Sequence, residues 1–222
     1  MNERIELIIN DLSFQNKKII LFGVGGVGGT ALEAIVRSGI KNIDIYDFDT
    51  VDASNLNRQI ISNTENIGHK KIDEAIVRAK AINPFINIRG FDFKLNEENI
   101  KDLDLKADFV IDAIDDVKAK VALIKRCVKE NINIISSQGT GNKLDPSKLE
   151  ITDISKTEYC PLAKKVRKLL RDEGINHLTV VYSKEQREIK KDATKIGTMM
   201  FVPSAAGLLI ASYVIRKLIG EI

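Results

Sequence analysis

An α/β fold built on a doubly wound, mainly parallel sheet is predicted by three features. Strand-like and helix-like segments alternate, the strands are mostly short apolar runs, and a glycine-rich loop joins the first strand to the first helix. Such alternation implies right-handed crossovers between parallel strands. Apolar runs without polar alternation are what strands covered on both faces require.

The first strand is KKIILFG, residues 17–23, and GGTALEAIVRSG then has helical spacing and stops at Gly39. NIDIYDF is a second strand. From 70 to 83, Ile72, Ala75, Ile76, Ala79 and Ile82 recur at helical intervals before Pro84. INIRGFDF alternates like a third strand, ADFVIDAID (107–115) is a more buried fourth, VKAKVALIKRCVKE a helix, and INIISS a fifth strand. After DPSKLEITDIS the pattern loosens. A helix over about 161–171 leads to a strand, HLTVVYS, and then to KEQREIKKDATKIG, a polar stretch expected to be a mobile loop. PSAAGLLIASYVIRKLI closes the chain as a helix with Ser204 as its N-cap. The expected organisation is one domain over 1–222, with a nucleotide-binding core of about 17–150 and a C-terminal α+β extension of about 151–222.

A chain of 222 residues with 44% hydrophobic and 29% charged residues can bury a core without metal or disulfide staples. Two cysteines, Cys127 and Cys160, are too few for a four-cysteine zinc site. The formal charge of +3 permits a polyanionic partner without announcing one. The start lacks a basic segment followed by a long apolar run, and the apolar stretch 207–215 is too short to span a bilayer. The expected location is the cytoplasm, with no membrane.

GVGGVG, holding Gly23, Gly25, Gly26 and Gly28, sits where a strand turns into a helix, as in Rossmann-like nucleotide sites. Glycines there let backbone amides approach a phosphate, and the helix N-terminus adds partial positive charge. Asp47 follows at the end of the second strand, where a carboxylate holds ribose hydroxyls. These features point to a nucleotide without choosing between NAD and ATP.

The next residues choose. A dehydrogenase needs only to bind and orient its cofactor, whereas breaking ATP needs cations on the phosphates and a carboxylate for Mg²⁺. SNLNRQ supplies Asn55 and Arg58, Lys71 opens the next helix, and DAIDD places Asp112 and Asp115 at the end of the fourth strand. One arginine, one lysine and one acid on separate connections over one sheet edge fit adenylation of a carboxylate. Taken singly, Arg58 or Lys71 equally suits solvated surface, and Asp112 and Asp115 suit helix N-cap and first-turn acids.

The combination GVGGVG, DFDTVDASNLNRQ, GHKK and DAIDD resembles the ubiquitin-activating-type superfamily that includes the bacterial molybdopterin and thiamine biosynthesis adenylyltransferases. The later INIISSQGTGNKLDPSKLEITDISKTEYCPLAKKVRKLLRDEGI and FVPSAAGLLIASYVIRKLI are similar to its tRNA threonylcarbamoyladenosine dehydratase branch. The zinc-binding cysteine pairs common in the thiamine and molybdopterin enzymes are missing. The resemblance implies an enzyme that uses ATP and Mg²⁺ to activate the carboxylate of threonylcarbamoyladenosine beside a tRNA anticodon and closes it to a ring with net loss of water. It further implies that Gly25 and Gly26 line the nucleotide, that Asp47 binds ribose, that Asn55, Arg58 and Lys71 neutralise phosphate charge, and that Gln59 joins the cofactor site. Asp115 would hold Mg²⁺ with Asp112 supporting it. Arg4 would reach into the ATP site of the partner in a homodimer. A sulfur-transfer partner protein is left open.

Cys160 lies where some activating enzymes keep a thioester-forming cysteine, but an intramolecular ring closure needs no enzyme thiol. In PLAKKVRKLLR, Lys164, Lys165, Arg167, Lys168 and Arg171 fall on one face, with Leu162, Val166, Leu169 and Leu170 opposite. A cationic face suits tRNA phosphates, with Lys164, Lys165 and Lys168 the chosen contacts. Lys184, Arg187, Lys190, Lys191 and Lys195 are weaker candidates. GTGNK, after the fifth strand, is either a wall beside the reacting carboxylate or a tight turn. The competing function is adenylation of the C-terminus of a small ubiquitin-like sulfur carrier, with a nicotinamide-binding oxidoreductase third.

Overall fold

The computed structural model describes residues 2–186 and 196–222. Arg187, Lys190, Lys191 and Lys195, with most of the polar stretch expected to be mobile, lie outside the described residues. One seven-stranded sheet takes strands from both the core and the C-terminal extension, in the order β3-β2-β1-β4-β5-β7-β6. β1 (Lys18–Phe22) pairs in parallel with β2 (Asn42–Asp47) and β4 (Phe109–Asp112). β3 (Asn87–Asp92), β5 (Ile134–Ser137) and β7 (Thr179–Ser183) continue the parallel pattern on either side.

Alternation along β1 assigns the two faces. Ile19 and Leu21 pack with α1 (Gly26–Arg37), α2 (Lys71–Ile82) and α5 (Phe201–Leu218). Ile20 and Phe22 point the other way, toward α3 (Val117–Lys129), against which α4 (Pro161–Asp172) packs. Strand order reverses beside β1, so a crevice opens where the carboxyl ends of β1 and β4 diverge. Phe22 is level with both Tyr46 and Asp112, which brings Gly23, Asp47 and Ala113 side by side at that edge.

Two local expectations need correction, and one strand is given no element by the sequence pattern. β6 (Leu149–Asp153) runs antiparallel to β7 at the sheet edge. All five of its residues are only half-buried, so it lacks the apolar run by which the other strands announce themselves. The fourth strand is shorter than the apolar pattern, ending at Asp112, which leaves Asp115 in the loop. α5 begins at Phe201, not after Ser204. Pro203 lies in its first turn, where a missing N–H costs nothing, and the Ser204 hydroxyl accepts a hydrogen bond from the Thr30 hydroxyl at 3.3 Å.

The 18 residues of α5 are long and apolar enough to cross a membrane by length and composition alone. Val202, Ala206, Ile210 and Val214 are nevertheless fully buried in the protein. Gly207 shows how closely this helix sits on α1: a Cβ there would lie 2.5 Å from the Val27 carbonyl oxygen and 2.9 Å from the Ala31 nitrogen.

Candidate active site

Gly25 caps α1 without a side-chain hydrogen bond, and the first turn carries no acidic residue, so nothing competes for its amides. The loop before it is held tightly. Gly23 has φ +87°, and a Cβ there would meet the Ala113 carbonyl oxygen at 2.7 Å, so the phosphate loop and the β4–α3 connection touch through backbone. Asp47 secures the other side: its Oδ2 accepts from the Val24 amide at 2.7 Å and its Oδ1 from the Asp49 amide at 2.8 Å. Burial pushes the Asp47 carboxyl above its ordinary value, outweighing the pull of those two amides.

Arg58 and Gln59 cover the loop from the third side. A Cβ on Gly26 would lie 3.4 Å from the Arg58 carbonyl oxygen and 3.6 Å from its Cγ. The Arg58 Nη1 donates to the Ser54 carbonyl at 2.6 Å and to the Asn57 side chain at 3.0 Å. Gln59 is buried, its amide nitrogen 3.8 Å from where a Gly25 Cβ would be, and its Oε1 has no hydrogen-bond partner among the described residues. Buried carboxamide oxygens are almost always paired, so an open acceptor beside the phosphate loop marks a position that a ligand can complete. The Asn55 Oδ1 accepts from the Asp52 amide at 3.2 Å in a capping box that shapes the Asp52–Leu56 turn just ahead of Arg58.

Lys71 is not solvated surface. Its side chain is 6% exposed, and Nζ lies 2.7 Å from Asp49 Oδ2, two residues beyond Asp47. Nor do Asp112 and Asp115 cap a helix. Asp116 caps α3, accepting from the Ala119 amide at 2.8 Å. Asp115 is exposed and forms no hydrogen bond or ion pair among the described residues. Asp112 is fully buried and ion-paired with Lys120 at 2.8 Å. No motif in the sequence singles out Lys120, although a signal exists: with Ile124 and Cys127 it occupies the apolar stripe of α3, where an unpaired lysine is not tolerated.

The remaining candidates separate. Lys164, Lys165, Lys168 and Arg171 are exposed on α4, but Arg167 turns inward and donates to the Thr157 carbonyl at 2.7 Å and to its hydroxyl at 2.7 Å. Leu169, expected on the buried side, is exposed instead. Lys184 pairs with Glu150 at 3.3 Å. The Cys160 thiol is buried and caps α4, accepting from the Ala163 amide at 3.4 Å. Cys127 is buried, which pushes its thiol up to about 12. Asn142, in the GTGN turn, takes both a backbone and a side-chain hydrogen bond with Gly197, each at 2.7 Å. Asn57 donates to the Thr198 carbonyl at 2.9 Å, so the segment entering α5 bridges the turn after β5 and the Arg58 loop. Arg4 is exposed on an N-terminal segment whose Asn2 binds Gln15, beside Ser38 at the far end of α1.

Comparison with known proteins places the chain in a family. The model of the ThiF family matches residues 10–222. The tRNA threonylcarbamoyladenosine dehydratase of Bacillus subtilis is 37% identical over 228 residues, covering 95% of this chain and 90% of that one. The Haemophilus influenzae enzyme of the same name is 41% identical over 154 residues, 69% of this chain and 59% of that protein. Among solved structures, the E. coli tRNA N6-threonylcarbamoyladenosine dehydratase in complex with ATP superposes with a TM-score of 0.87 at 31% identity, covering 94% of this chain and 88% of that one. Fold, phosphate loop and sequence together establish that the chain belongs to the ThiF family.

Proposed function

We propose that this protein is an ATP-dependent tRNA threonylcarbamoyladenosine dehydratase, working in the cytoplasm as a homodimer of single-domain chains. The observation that carries the reading is the convergence of three things on one sheet edge: the open N-terminus of α1, the Asp47 carboxylate and the unpartnered Asp115.

The α1 amides receive phosphate oxygens, and Asp47 accepts from ribose hydroxyls. A carboxylate oxygen of the threonyl group attacks the α-phosphorus, and the bond to pyrophosphate breaks. Arg58 and Lys71 are the cations that offset the charge gathering on the phosphates. In the free chain Lys71 rests on Asp49; a polyphosphate of higher charge gives its ammonium a stronger partner. An atom of the carbamoyl group then attacks the acyl carbon, and AMP departs with the original carboxylate oxygen. ATP has become AMP and pyrophosphate, and the nucleoside has lost one water. The ring closes within the substrate, so a buried Cys160 is compatible with it.

No group of three or more His, Cys, Asp or Glu side chains able to hold a metal occurs among the described residues. A lone exposed Asp115 fits Mg²⁺, which takes one or two carboxylates and completes its shell with phosphate oxygens and water. Asp115 would hold the ion, which would draw charge from the phosphates. Asp112, engaged with Lys120, supports the Asp115 loop from beneath.

Arg4 would serve a partner's site and not its own. Its segment is anchored at the C-terminal end of α1, about 18 Å along a twelve-residue helix from the phosphate loop. An apolar groove of about 970 Å³ lies beside it, lined by Ile5, Ile9, Phe14, Leu208 and Ile215 among others. Ile8, 82% exposed, also lines this groove, and its chain neighbour Leu7 is equally exposed. A second copy covering this face would carry Arg4 across to the partner site. The exposed Lys164, Lys165 and Lys168 are the proposed tRNA contacts.

The test is nucleoside mass spectrometry of tRNA carrying the uncyclised base, incubated with the protein, ATP and Mg²⁺. ATP-dependent loss of one water, abolished by Asp115→Ala, is the expected result. No mass change from protein that binds ATP would reject the reading in favour of a ubiquitin-like carrier as substrate.

A further inference from the structure

Lys120 is fully buried, and the chemistry above does not use it. Its Nζ donates to Asp112 Oδ2 at 2.8 Å, to the Ser137 carbonyl at 2.8 Å and to the Ser136 hydroxyl at 3.3 Å. An ammonium has three donors, and all three are engaged. The Ser136 hydroxyl donates to Asp112 Oδ2 at 2.6 Å and accepts from the Gln138 side-chain Nε2 at 2.9 Å. Asp112 Oδ1 accepts from the Ile114 amide at 3.1 Å. One side chain from α3 thus fastens the carboxyl end of β4 to that of β5.

Stability alone is a poor reason for such an arrangement. Replacing a buried ion pair by apolar side chains of similar volume is often neutral or stabilising. The position of the pair is more informative. The Asp112–Ile114 bond closes the turn that carries Ala113, which touches the phosphate loop at Gly23, and leads directly to Asp115. Lys120 also offsets the Asp112 charge, so that Asp115, exposed and without a partner among the described residues, is the uncompensated carboxylate of this turn.

We propose that Lys120 is a positioning residue. By neutralising Asp112 and tying β4 to β5, it holds the Ala113–Asp115 turn where Asp115 receives a divalent cation carried on the nucleotide phosphates. This rests on the ATP-dependent reading above; Lys120 itself touches neither nucleotide nor metal.

Lys120→Met alone strands a buried carboxylate and endangers folding. The informative variant is therefore Lys120→Met with Asp112→Asn, which removes both charges and keeps an acceptor for the Ile114 amide. Binding of a fluorescent ATP analogue is titrated with Mg²⁺ for the wild type, Asp115→Ala, the paired variant and the triple variant, each shown to be folded by circular dichroism. Metal-free nucleotide affinity should stay within about threefold of wild type in the paired variant. The Mg²⁺ concentration at half-effect should rise about tenfold or more, as when the support of a metal ligand is removed. Asp115→Ala should then add little on top. A paired variant that melts earlier but keeps the wild-type Mg²⁺ midpoint would overturn the proposal while leaving the ATP reading intact. Wild-type binding indifferent to both Mg²⁺ and Asp115→Ala would overturn the metal assignment of Asp115, and this inference with it.

Discussion

At the scale of the residue, Lys71 and Asp47 carry opposite burdens. Lys71 is buried but its partner Asp49 is half-exposed, so removing the lysine leaves a carboxylate that water can solvate. Lys71→Ala should therefore cost about 1 kcal/mol of stability or less while lowering ATP–pyrophosphate exchange by about 10²–10³-fold. Thermal unfolding and exchange assays read the two separately. Asp47 is raised by burial, so on acidification it takes up its proton before an ordinary aspartate does. Its charged form costs the free chain stability above the unfolded-state value, and that cost disappears as the pH falls through the raised folded value. Binding runs the other way, because the ionised form is the better acceptor for ribose hydroxyls. ATP-analogue affinity should fall on acidification at a higher pH than an ordinary aspartate would produce, because burial raises the Asp47 carboxyl. Asp47→Asn should bind weakly with a flatter profile, and a flat wild-type profile would remove Asp47 from the ribose.

At the scale of the element, α1 and α5 approach each other closely at Gly207. Gly207→Val would drive a branched side chain into the Val27 carbonyl and the Ala31 amide. A destabilisation of about 1–3 kcal/mol is expected from such overpacking, read as a lower thermal midpoint. Because α1 begins at the phosphate loop, ATP affinity should weaken as well. α4 presents a narrower cationic face than its composition implies, since Arg167 is spent on Thr157. Reversing Lys165 and Lys168 to Glu should weaken tRNA binding and reduce its log–log salt slope by about 2, roughly 1 for each phosphate no longer neutralised. An unchanged slope would remove α4 from the RNA surface.

At the scale of the whole molecule, the N-terminal segment and the phosphate loop sit at opposite ends of α1, so the role proposed for Arg4 requires a second copy. Arg4→Ala and Lys71→Ala proteins should each be inactive alone. Mixed at equal amounts and allowed to exchange subunits, half of the dimers carry one intact site of two, so about a quarter of wild-type activity should return. No recovery, with exchange verified, would place Arg4 outside the partner's site.

What the sequence determined by itself was whatever lies within a short window. β1, the glycine loop, α1 and its stop at Gly39, Asp47 at a strand end, and Arg58 and Lys71 on the next connections all follow from periodicity, φ requirements and spacing. Tertiary structure decided the rest. Asp112 became a buried partner of Lys120 and Ser136 because folding brought together groups 8 and 24 residues apart, and a buried charge must find its compensation wherever the chain supplies it. That pairing, with Asp116 taking the helix cap, left Asp115 unpartnered at the crevice. β6 was hidden because an edge strand with half-exposed residues needs no apolar run, and its pairing with β7 is set by long-range packing that leaves no trace in the local pattern.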